Sequence, residues 1–91
     1  MRANATYTLK LSIGRQLGVA VFTGYLAALM AGNVILAADN TLSPEAGTFL
    51  EEVIVYKSGP NPPQLGKPLT IFVKSFVNGQ VDVDNVSLTV Q

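Results

Sequence analysis

Apolar and polar side chains alternate through residues 6–13. Tyr7, Leu9, Leu11 and Ile13 fall on one side, and Thr6, Thr8, Lys10 and Ser12 on the other. Successive side chains of a strand point to opposite faces, so this stretch predicts a half-buried strand. Two apolar runs follow, residues 25–30 and 34–38, preceded by Gly24 and separated by Gly32-Asn33. That arrangement predicts a hairpin. Residues 48–56 are β-branched and aromatic and predict another strand. Glu51 and Glu52 are neighbours within it, so they face opposite ways and at least one meets solvent. Residues 69–77 alternate again, with Leu69, Ile71, Val73 and Val77 opposed to Thr70, Phe72, Lys74 and Phe76. Asn78-Gly79 then leads into a last strand over 80–90, and Asn-Gly between alternating runs is a strong hairpin signal.

Between these runs the chain is punctuated. Residues 39–47 are polar and turn-rich. Gly59-Pro60-Asn61-Pro62-Pro63 and Gly66 exclude a helix or a central strand from 57–67. The only stretch with competing helical propensity is 24–38, rich in Ala and Leu. Short strands joined by Gly and Pro turns predict an all-β fold, an antiparallel β-sandwich formed by a single domain over residues 1–91.

A second reading of the N-terminal part stands beside the hairpin. Arg2, Lys10 and Arg15 precede an uncharged run, 16–38, that ends in Leu36-Ala37-Ala38. A signal peptide over 1–38, or an anchor over 17–38, has this form and would place the protein in the cell envelope or outside the cell. The alternation of 6–13 and the Gly-Asn break favour the hairpin.

Composition narrows the chemistry. Hydrophobic residues are 48% of the 91-residue chain and charged residues 13%, too apolar for a disordered chain. Six basic and six acidic residues cancel, which argues against nucleic acid as a partner. There is no Cys and no His, so no thiolate nucleophile, no Ser-His-Asp triad and none of the usual zinc ligands is available. Chemistry falls to Asp39, Glu45, Glu51, Glu52, Asp82, Asp84 and the tyrosines. Glu51 and Glu52 cannot flank one glycosidic bond from opposite faces of a strand.

The last strand changes phase. Val81 and Val83 are apolar at odd positions, Val86, Leu88 and Val90 at even ones. One extra residue, a β-bulge near Asp84-Asn85, restores a common face. Asp82, Asp84 and Asn85 then gather hard oxygen donors of the kind calcium takes, though fewer than the six to eight it requires. The competing reading is that these polar residues only face water.

The final segment VDVDNVSLT (81–89) resembles the terminal strand of galactose-binding-like jelly rolls, including carbohydrate-binding modules. NATYTL (4–9), GY (24–25), AGN (31–33), ADN (38–40), LSP (42–44), GTF (47–49) and PQLGKPL (63–69) succeed one another as in a bacterial subset of that fold. The subset includes the cyanobacterial hapalindole-type cyclases. The resemblance implies a jelly-roll sandwich, bound calcium, and a chain that starts at a mid-domain strand and is incomplete at its N-terminus. A sandwich short of strands leaves open edges, for which a homodimer is one remedy.

Two functions follow from the resemblance. One is a non-catalytic carbohydrate-binding module, the main expectation, with Tyr25, Phe72 and Phe76 as ligand-binding aromatics. Phe72 and Phe76 share a face with Lys74; packing against the second sheet is the commoner fate of such rings. The alternative is a calcium-dependent cyclase that rearranges and closes isonitrile-bearing indole terpenoids, small apolar molecules, by proton donation. It implies Asp82 as the acid, with Asp84, Asn85 and Asp82 as metal ligands.

Overall fold

The computed structural model describes residues 1–14, 24–45, 47–75 and 82–91. Among these, six strands form two three-stranded antiparallel sheets and no helix occurs: β1 (Thr6–Gly14), β2 (Tyr25–Ala31), β3 (Val34–Asp39), β4 (Phe49–Lys57), β5 (Leu69–Ser75) and β6 (Asp82–Val90). One sheet has the order β4-β1-β6 and the other β3-β2-β5. The all-β sandwich is therefore the fold.

The two central strands make the core. Tyr7, Leu9, Leu11 and Ile13 of β1 are all buried, as their alternation requires. They pack with Tyr25, Ala27 and Leu29 of β2 and Ile54 of β4. Leu69 and Val73 of β5 and Leu88 and Val90 of β6 close the sides of this cluster. Burial of such side chains contributes about 1.5–3 kcal/mol each, which is what holds the two sheets face to face.

The hairpin expected over 25–38 is β2–β3. Gly32 alone of the two turn residues has a positive φ, 57°, the pattern of a Gly-first type II′ turn, whose twist suits a tight hairpin. The signal-peptide or anchor reading is corrected over the described part of that run. Residues 25–31 and 34–39 are strands of the sandwich, with Tyr25, Ala27 and Leu29 buried and Leu36 and Ala37 packed against the core. Among the described residues no helix is long and apolar enough to cross a membrane. The expected Asn78-Gly79 turn and Phe76 lie outside the described residues.

The bulge in β6 sits where the phase break puts it. Lys10 pairs with Ser87 and Ser12 with Asp84, so Asn85 and Val86 together oppose Leu11. Asn85 has φ 53°, the left-handed conformation that Asn tolerates better than branched residues. The extra residue lets Val83, opposite Ile13, share the inner face with Leu88 and Val90.

Candidate active site

Register decides which side chains meet on the open face of the β4-β1-β6 sheet. Paired residues of adjacent strands point the same way. Ile13 faces inward with its partners Leu50 and Val83, so the next row, Phe49–Gly14–Asp82, faces outward. Gly14 has no side chain, and the Phe49 ring occupies the space that a Cβ there would need. The ring thus lies across β1, toward the strand that carries Asp82. Phe49 remains 51% exposed. Its Cα and that of Asp82 are two strand spacings apart, roughly 10 Å. Ser12 and Asp84 form the adjacent outward row two residues along.

Of the residues that the sequence singled out, Asp82, Asp84 and Asn85 are therefore together on β6. Asp82 is half-buried; Asp84 and Asn85 are exposed. The Asn85 amide donates to Asp84 Oδ1 at 2.8 Å, which secures the bulge. These donors suit calcium in kind, but one strand supplies two carboxylates and one carboxamide against a shell of six to eight oxygens. Among the described residues no third acidic group joins them. Phe72 is elsewhere. It pairs with Ala28 on the outer face of the other sheet and is 40% exposed. It does not pack against the second sheet, because the inner face of β5 belongs to Leu69 and Val73.

Tyr25 is fully buried, so its ring offers no open face for a sugar. It belongs to a polar cluster that sequence reasoning did not assemble. The Tyr25 hydroxyl donates to Glu52 Oε1 at 3.1 Å and lies 3.5 Å from Asp39 Oδ2. The same hydroxyl accepts the Leu42 N–H at 3.2 Å. Asp39 Oδ2 also accepts from the Thr41 hydroxyl at 2.8 Å. Glu52 is 3% exposed. Burial, then the hydrogen bond and charge of Asp39, push its carboxyl up to about 7, against a smaller lowering by Tyr25. Asp39 is held below the usual carboxylate range, chiefly by its hydrogen bond with Glu52 and by those from Thr41. Burial raises the Tyr25 phenol, so it stays a donor. Glu51, its neighbour in sequence, is exposed as the strand geometry requires.

The two-sheet sandwich is the fold of the β-sandwich cyclases among solved structures. The chain belongs to the HpiC1-like family, that of HpiC1 cyclase, which matches residues 1–89. Comparison with curated protein sequences found no match. Among solved structures, a cyclase from Fischerella sp. TAU in complex with 4-(1H-indol-3-yl)butan-2-one is 32% identical with a TM-score of 0.88. The match covers 100% of this chain and 51% of that one. The Stig cyclase Fisc from Fischerella sp. TAU, in complex with (3Z)-3-(1-methyl-2-pyrrolidinylidene)-3H-indole, is 32% identical with a TM-score of 0.89 over the same shares. An apo cyclase from Fischerella sp. is 33% identical, TM-score 0.89, covering 100% of this chain and 50% of that one. The chain thus spans about half the length of the structures it matches. The comparisons support the cyclase side of the resemblance and not its carbohydrate-module side.

Proposed function

We propose that this chain carries the proton-donating half of a Stig-type cyclase site, and that the substrate is an indole bearing an unsaturated terpenoid chain. The observation that carries the reading is the Phe49–Gly14–Asp82 row, found in a chain whose family and structural relatives are cyclases. An indole laid against the exposed Phe49 ring gains aromatic stacking in an offset or edge-to-face geometry. It would also cover Asp82 and exclude water there, which keeps the reacting carbons from being quenched by solvent.

From that position the Asp82 carboxyl gives its proton to an alkene carbon of the terpenoid chain. The π bond of the indole closes on the resulting cation. The Asp82 carboxylate then takes a proton from the cyclised cation, so the product is an isomer of the substrate and the acid is restored. Phe49 orients; Asp82 does the chemistry. When bound, calcium would take Asp84 and Asn85 of the bulge as part of its shell and so fix the strand that carries the acid, leaving Asp82 free to hold its proton.

The test is turnover of an isonitrile-bearing indole terpenoid, followed by chromatography for a product of unchanged mass. Asp82→Asn is expected to lower the rate at least about 100-fold, the lower range for a lost general acid. An Asp82→Asn variant as active as the parent chain removes the assignment.

A further inference from the structure

We infer that Tyr25, Glu52 and Asp39 form a proton-operated latch between the two sheets, closed when Glu52 carries a proton and released when it ionises. The three side chains come from β2, β4 and β3, so the cluster joins the edge of one sheet to the centre and edge of the other. It also ties down the loop that follows β3. Leu42 gives its N–H to the Tyr25 hydroxyl and its side chain to the core, and Pro44 is fully buried beside it.

Among the described residues the groups that face Glu52 are these. β2 presents the Tyr25 hydroxyl, β3 the Asp39 carboxylate, and β1 the apolar Leu11, its partner in register. No described cation answers a second negative charge. With a proton on Glu52, the carboxyl and the Asp39 carboxylate share a hydrogen bond, and one hydroxyl donor suffices. Without it, two buried carboxylates compete for that donor and repel.

The sign follows from linkage. Glu52 sits at about 7 in the fold against an ordinary 4.5, so the native state holds the extra proton. The stability it contributes is fully present below about 4.5 and is lost as pH rises through about 7. Asp39 is shifted the other way, and its contribution is lost only in acid, below its ordinary 3.8. The two windows do not overlap, so of these two carboxyls only Glu52 contributes across the interval from pH 5 to 8, and the Glu52→Gln comparison isolates its share.

The experiment is thermal melting of the whole chain from pH 5 to 8, with amide exchange at Leu42 followed by NMR. The Tm is expected to fall by on the order of 10 °C across that interval, and Leu42 protection to fall roughly tenfold or more. Glu52→Gln keeps a neutral group of the same shape and is expected to flatten both profiles. Should that variant fail to fold, carbon-13 titration of the Glu carboxyls in the unaltered chain gives the same answer. A Glu52 midpoint below about 5, or a Leu42 protection factor independent of pH, overturns the latch, as does a Glu52→Gln variant that melts with the parent's pH dependence.

Discussion

The Tyr25 hydroxyl reaches Glu52 Oε1 at 3.1 Å across the two sheets, and in the same place accepts the Leu42 N–H at 3.2 Å. One buried oxygen therefore serves both a carboxyl and a loop. Tyr25→Phe keeps the ring and deletes that oxygen, leaving the Leu42 amide without its acceptor. The variant is expected to lose about 1–3 kcal/mol in denaturant unfolding. Because the hydroxyl lowers Glu52, its removal is also expected to move the Glu52 midpoint above about 7, as read by carbon-13 titration.

Asn85 holds the bulge in a left-handed conformation, φ 53°. Glycine adopts that conformation freely and a β-branched residue does not. Asn85→Gly is expected to melt within a few degrees of the parent chain. Asn85→Val is expected to cost about 1–2 kcal/mol. Equal losses in the two variants would show that the side-chain amide, and not the backbone, keeps the bulge.

Calcium is expected to act at this same bulge. Melting in millimolar calcium against chelator is expected to show a rise in Tm, by mass action on the folded state. Asp84→Asn is expected to shrink that rise. A Tm that ignores calcium in both chains would mean that the bulge holds no calcium and leave Asp84 as a residue that only accepts the Asn85 backbone N–H.

The alternation of Tyr7, Leu9, Leu11 and Ile13 could be read directly because one face of β1 is buried and the other is wet. The phase break between Val83 and Val86 was legible because a strand that keeps its apolar residues on one face cannot change phase without a bulge. Glu52 was not legible. β4 carries apolar residues on both faces, with Leu50, Ile54 and Tyr56 in one phase and Phe49, Val53 and Val55 in the other. Its pattern therefore does not say which glutamate goes inside. Nor could the sequence bring Asp39 and Tyr25 to Glu52, since that takes the stacking of two sheets. The Phe49–Gly14 contact had a faint signal, a glycine ending an alternating strand, but it needs the β1–β4 register to become a contact.

Gly14→Ala tests that contact. A methyl group there would meet the Phe49 ring, and the ring must turn away from β1. The ring is an exposed side-chain end that can swing aside, so the expected stability cost is under about 1 kcal/mol, while binding of an indole ligand by titration calorimetry is expected to weaken. Unchanged affinity would mean that Phe49 already samples other positions and is not a fixed platform.

Binding of an indole on the outer face of the β4-β1-β6 sheet is read by amide shift mapping with 4-(1H-indol-3-yl)butan-2-one, the ligand of a structural relative. The largest shifts are expected at Ser12, Gly14, Phe49, Glu51, Asp82 and Asp84, with their loss in Phe49→Ala. Shifts centred instead on Phe72 and Ala28, on the outer face of the other sheet, would rule out the proposed binding face.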